Sequence, residues 1–136
     1  MQNQKWDDKY ATGIDKIDDD HKQLIMVINK IFRMIVSGKY DFSDYNEVLN
    51  SLGSYVTAHF EYEEVWMLEN SYPNRDEHIL DHQRFSKKIS ALDRGHLTID
   101  ILSFLKVWLL THIAVVDSDL GAFRHERAQR GKVIGQ

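Results

Sequence analysis

The sequence predicts an all-α protein, an up-down-up-down antiparallel four-helix bundle with an irregular N-terminal arm. Three observations carry that expectation. A single proline and the lack of any long apolar/polar alternation leave helix as the dominant element. Apolar stripes at helical spacing recur along the chain, separated by short clusters of turn formers. The histidines and acids that interrupt those stripes fall near the start of the first helix, late in the second, early in the third and late in the fourth. Short connections favour antiparallel neighbours, and only that topology gathers all those positions at one end.

The elements follow in order. Residues 1–17 read as an arm anchored by Trp6, Tyr10, Ile14 and Ile17, with Gly13 breaking any helix. Asp18 or Asp19 suits the cap of a first helix that runs to about Ser37 and stops at Gly38; its stripe is His21, Leu24, Ile25, Ile28, Ile31, Phe32 and Ile35. Ser43 suits the cap of a second helix reaching about Asn70, with Val48, Leu49, Leu52, Tyr55, Val56, His59, Glu63, Trp66 and Met67 in period. Asn70-Ser71-Tyr72-Pro73-Asn74 is the clearest break. Beyond it Asp76 and Glu77 favour the positive end of a third helix, which carries His78, Ile79, His82, Phe85, Ile89 and Leu92 and stops near Gly95. Thr98 can cap a fourth helix bearing Ile101, Leu102, Leu105, Trp108, Leu109, His112, Ile113 and Val116. His96 and His125 read as exposed residues of a turn and of the tail.

At 136 residues this is one domain, with a bundle over about 18–120 and a basic tail over about 122–136. Without cysteine, disulfides and thiolate-bound clusters are excluded. The N-terminus lacks an apolar signal region and no run approaches membrane-spanning length, so a cytoplasmic protein without membrane insertion is expected. The net charge of −4 divides unevenly: residues 122–136 carry +3 and the remainder −7. An acidic body argues against nucleic acid as a partner.

Helical spacing also groups the interrupting residues. Four positions turn a helix about 40° beyond one revolution, so His59 with Glu63, and His78 with His82, each point two donors at one place. One histidine in an apolar stripe is usually structural, and His21 alone would be read that way. Together with His112 and Asp117 the set is different, because buried donors are costly unless something satisfies them and a metal centre satisfies all at once. Seven ligands exceed one tetrahedral ion and suit two metals bridged by carboxylates. Asp117 follows His112 by five residues, roughly 140° round an ideal helix, so the helix is expected to loosen there, for instance by a π-type turn, or to end. Imidazole suits iron, copper, zinc and nickel alike, so the donors alone do not name the metal.

The ordered pattern His, His-x-x-x-Glu, His-x-x-x-His, His-x-x-x-x-Asp resembles the hemerythrin family, its single-domain bacterial members most closely. Trp6, Asp18, Glu64, Tyr72-Pro73, Trp108-Leu109 and Ile113 agree with it, over about residues 6–120. The resemblance implies a non-haem centre of two iron ions: His78, His82 and His112 on one, His21 and His59 on the other, Glu63 and Asp117 bridging. It implies an oxygen pocket of Leu24, Phe60, Trp108, Leu109 and Ile113, residues that would pack a core in any case. The function it implies is reversible dioxygen binding, for storage or delivery to an oxygen-consuming enzyme, by a protein that is not itself an enzyme; a monomer is expected. A di-iron peroxidase, a nitric oxide reductase and an oxygen or iron sensor are the alternatives. The chain departs from the family at Leu120, where an aromatic residue is common, and in the tail from Ala122 onward.

Overall fold

Antiparallel helices α1 (Asp15–Ser37), α2 (Phe42–Glu69) and α3 (Arg75–Ser90) stand beside a fourth rod. That rod comprises α4 (Ile99–Thr111), a π turn (His112–Val116) and α5 (Asp117–Ile134), joined without a break. The computed structural model describes residues 5–39, 41–92 and 99–134. Thr98, Gly95 and His96 lie outside the described residues, as do the side chains of Ile101 and Leu102. The bundle topology is the expected one: α2 packs on α1 and α3, and α4 closes on α1. Among the described residues no helix is long and apolar enough to cross a membrane.

The helix starts differ from expectation in instructive ways. α1 begins at Asp15 behind Ile14, with no side-chain cap, because the apolar period already runs through Ile17. Asp18 is therefore inside the first turn, and its carboxylate instead accepts from Thr12 N and Oγ1 at 2.8 Å and from Gly13 N at 3.2 Å, tying the arm to the helix. The arm itself is not wholly irregular, since Asp8–Tyr10 form a 3-10 turn. In α2 the cap is Asp41, which accepts from Asp44 N at 2.7 Å, two residues before the expected Ser43. Gly38 does end α1, in the left-handed conformation (φ 65°) that glycine adopts without penalty.

The core has three layers. A large cluster that includes Leu24, Ile28, Ile31, Leu52, Phe60, Phe85, Leu105, Leu109 and Ile113 fills most of the bundle. At the opposite end a smaller cluster, Ile14, Ile17, Met67, Tyr72 and Leu120, closes the bundle beneath Trp66, Ile79 and Phe123. Along each helix the histidines and acids fall between these two clusters. Each fully buried aliphatic or aromatic side chain contributes about 1.5–3 kcal/mol, so two apolar layers hold a polar one that could not hold itself. The arm lies against α5 closely enough that a Cβ at Gly121 would meet the Thr12 carbonyl oxygen at 2.8 Å; only glycine fits there. Tyr55 and Ile89 keep less of the stripe than their period suggests, Tyr55 being exposed and Ile89 half-buried.

Candidate metal centre

All seven predicted donors, His21, His59, Glu63, His78, His82, His112 and Asp117, are buried and meet in the polar layer. α1 contributes His21, and α2 contributes His59 and Glu63 one helical turn apart. His78 and His82 come from α3 by the same spacing. The π turn solves the five-residue spacing of His112 and Asp117: the Asp117 N–H donates to the His112 carbonyl, and the widened turn brings both side chains to one face.

The Nε2 atoms of the five imidazoles all point at the two carboxylates. Glu63 Oε1 lies 2.5 Å from His59 Nε2 and 3.5 Å from His21 Nε2, and Asp117 Oδ2 lies 2.7 Å from His21 Nε2. On the other side, Glu63 Oε2 lies 3.0 Å from His78, 3.1 Å from His82 and 3.9 Å from His112. Asp117 Oδ1 lies 3.1 Å from His78 and 3.2 Å from His112. Glu63 thus turns one oxygen to a pair of histidines and the other to a trio, while Asp117 turns one oxygen to His21 and the other to His78 and His112.

Several of these atoms are orphaned despite their closeness. His21 Nε2, His59 Nε2, His112 Nε2, Glu63 Oε1 and both Asp117 oxygens make no hydrogen bond of acceptable geometry. Two donors about 2.1 Å from one ion and at right angles lie about 3 Å apart, the separation seen here. The residues fit a pair of cations, one in each half.

Two further carboxylates stand behind the imidazoles. Asp20 Oδ2 is 3.1 Å from His59 Nδ1, and Asp81 Oδ2 is 2.6 Å from His112 Nδ1. A carboxylate only accepts, so each Nδ1 carries the hydrogen, and in the neutral ring that metal binding requires the Nε2 lone pair would face the centre. Asp20 also pairs with Lys16 at 2.7 Å. Sequence reasoning missed both acids. Their one local signal is that each immediately precedes a donor histidine, Asp20 before His21 and Asp81 before His82, so each flanks the seam and reaches a histidine of the adjoining helix. Glu64 is half-buried, its carboxylate 3.8 Å from His82 Nδ1.

Charge within the layer follows from burial opposed by these contacts. Burial alone would lower His59, but Glu63 and Asp20 outweigh it and raise the ring to about 9. Burial would likewise raise Glu63, yet His59 and the other imidazoles hold it well below the usual carboxylate range. For Asp117, burial and the neighbouring Glu63 push up while His112 and His21 pull down harder, so it too is lowered. His82 goes down, because burial outweighs its contact with Glu63.

The geometry agrees with what the chain matches. The model of the hemerythrin HHE cation binding domain covers residues 12–123. The chain belongs to the hemerythrin family. A bacteriohemerythrin of Clostridium acetobutylicum is 27% identical over 84% of this chain and 95% of the relative. A hemerythrin of Sipunculus nudus is 31% identical over 82% and 86% respectively. A crystal structure of wild-type hemerythrin superposes with a TM-score of 0.75 at 26% identity, covering 89% of this chain and 97% of that one.

Around this hemerythrin-family centre, Leu24, Phe60, Leu109 and Ile113 are buried in the large apolar cluster, with Trp108 packed half-buried against it. Phe60 stacks on His82 at 3.8 Å, and Trp108 stacks on His112 at 4.9 Å. The exposed His125 lies on α5 and takes no part in the donor cluster. α5 carries the family fold past Phe123 as an exposed basic helix; its residues Arg124 and Arg130 are exposed, and Arg127 donates to the Asn70 carbonyl at the end of α2.

Proposed function

We propose that this protein binds dioxygen reversibly at a non-haem di-iron centre, as a store or for delivery to oxygen-requiring enzymes, and is not itself an enzyme. In this reading His78, His82 and His112 hold one iron, His21 and His59 hold the other, and Glu63 and Asp117 bridge them. The observation that carries it is the division of carboxylate oxygens between a histidine pair and a histidine trio. With one oxygen from each carboxylate, the trio side offers five protein donors and the pair side four. The shortfall leaves a coordination position for a small molecule beside His21 and His59. When bound, two ferrous ions supply the two electrons that reversible dioxygen binding draws on.

The chain's own residues favour carriage. Five imidazoles in place of extra carboxylates lower the negative charge on the ions, which disfavours high-valent iron and hence cleavage of dioxygen. Leu24, Phe60, Leu109 and Ile113 make an apolar wall that excludes water and so withholds protons from the site. Asp20 and Asp81 fix the ring orientation of one histidine in each half.

The test is repeated cycling between oxygen and argon after anaerobic reduction, followed by absorbance. A spectrum that appears with oxygen and vanishes with argon over many cycles supports carriage. Irreversible oxidation, together with rapid turnover of peroxide or nitric oxide, would make it an enzyme.

A further inference from the structure

Between α3 and α4 runs an apolar groove of about 450 Å³, lined by Arg84, Lys87, Lys88, Ala91, Phe104 and Trp108. Phe104 is 49% exposed, and Val107 beside it is 63% exposed. Lys88 holds its ammonium 5.9 Å from the Phe104 ring centre. Three cations therefore border the apolar strip along α3, although the chain outside its tail carries a net −7. Asp100 is an acid at the far end of the strip, where it continues past Lys88 and Leu105.

One residue of this groove also touches the metal layer. The Trp108 ring lies nearly parallel to Phe85 (3.9 Å, 8°) and to the donor His112 (4.9 Å, 10°). Among the described residues, no other aromatic that lines a surface cavity stacks face to face on a donor histidine. Tyr72 meets His78 only edge-on at 6.4 Å, and Phe60, which does stack on His82, is buried. Electronic coupling falls steeply with gaps through space, so stacked rings make a favoured path from surface to centre.

We propose that this groove docks an acidic one-electron donor protein, and that Trp108 relays the electron to His112. The inference rests on the di-iron reading, because a ferrous carrier that loses electrons to oxygen needs a reductant to restore it. In each encounter the donor's reduced centre loses one electron, which passes through the Trp108 and His112 rings to the iron at His112. No bond forms or breaks, and two encounters return a diferric pair to the diferrous state. A protein fits better than a small molecule: the strip is shallow, continues onto Val107, and has the apolar centre and charged rim of a small encounter surface. The cationic rim steers an acidic partner toward it.

The test uses the iron-loaded, air-oxidised protein and a prereduced acidic [2Fe–2S] ferredoxin as the probe, with binding followed by calorimetry and reduction by stopped flow. Lys87→Glu with Lys88→Glu should weaken binding, slow second-order reduction roughly ten-fold and flatten its dependence on salt. Lys30→Glu with Arg33→Glu, exposed on α1, makes the same change in net charge and should leave both near the parent. Trp108→Leu should slow reduction even at saturating ferredoxin, where any loss of binding no longer limits the rate. Equal slowing by the two charge reversals would overturn the docking surface, and an unchanged rate in Trp108→Leu would overturn the relay. Protein that binds no iron would instead overturn the reading beneath both, a failure told apart by elemental analysis.

Discussion

On one side of the Glu63 and Asp117 carboxylates stand His21 and His59; on the other stand His78, His82 and His112. The pair meets edge-on at 4.6 Å, with the aliphatic Leu24 on the same helix as His21. The trio is cased in aromatic rings, Phe60 against His82 and Trp108 against His112. Its Asp81 contact is short and, among the described residues, made to His112 alone, whereas Asp20 divides itself between His59 and the exposed Lys16. The trio side is thus over-determined, and the pair side has one donor fewer and a looser backing. On the proposed di-iron reading, the better-backed trio would hold its ion more tightly and the pair would leave room for a ligand.

Removing a donor is the strongest way to break that contrast. His78→Ala, His82→Ala or His112→Ala should destroy the centre, with iron falling from two per chain to less than one by elemental analysis. His125→Ala, on the exposed part of α5, should leave iron unchanged. Equal loss in His125→Ala would contradict the donor assignment.

Metal removal comes next. Donors from all four rods are tied together only in the folded state, so saturating iron should add about 3 kcal/mol or more to stability and raise the melting temperature. The metal-free chain should also respond to pH in a defined way. His59 is raised from 6.5 to about 9, so its contribution is complete below 6.5 and is lost as pH climbs through 9. Glu63 and Asp117 are lowered from 4.5 and 3.8, so theirs is present above those values and lost as pH falls through the lowered ones. Metal-free stability should therefore peak between about 4.5 and 6.5 and decline toward 9, as thermal melts across pH would read. A melting temperature indifferent to iron would remove the linkage.

The backing acids give a smaller and graded effect. Asp81→Asn should loosen iron about 10- to 100-fold, and Asp20→Asn should do less, because its bond is longer and shared. Competition with a chelator measures both, and the reverse order would contradict the contrast drawn between the halves. Subtler still are Leu109→Ser and Ile113→Thr, which wet the apolar wall. They should speed autoxidation several-fold while iron stays at two per chain; unchanged lifetimes would mean that the wall does not protect the site.

Much of this was legible in the sequence because helical spacing is a geometric statement. His59/Glu63 and His78/His82 had to share faces, and the five-residue step from His112 to Asp117 required a distortion, which the π turn supplies. Asp20 and Asp81 were not legible, since an acid on a helix flank looks the same whether water or a histidine of another helix receives it. Their bonds span 39 and 31 residues of sequence. The α1 boundary was misplaced for a related reason: Asp18 has the chemistry of a cap, but its partners, Thr12 and Gly13, belong to a folded arm that local pattern does not reveal. The continuation of α5 through the basic segment left no apolar stripe to read, only the helix propensity of its alanine, arginine, glutamate and glutamine residues.

The unequal halves can be tested directly by Mössbauer spectroscopy of the diferrous protein loaded with ⁵⁷Fe, before and after adding azide as a small ligand. Five donors on one side and four on the other predict two inequivalent iron signals of equal area, of which azide shifts one and leaves the other in place. His59→Ala should abolish the azide-sensitive signal first. A single signal, one iron per chain, or equal movement of both signals would contradict an open position beside His21 and His59.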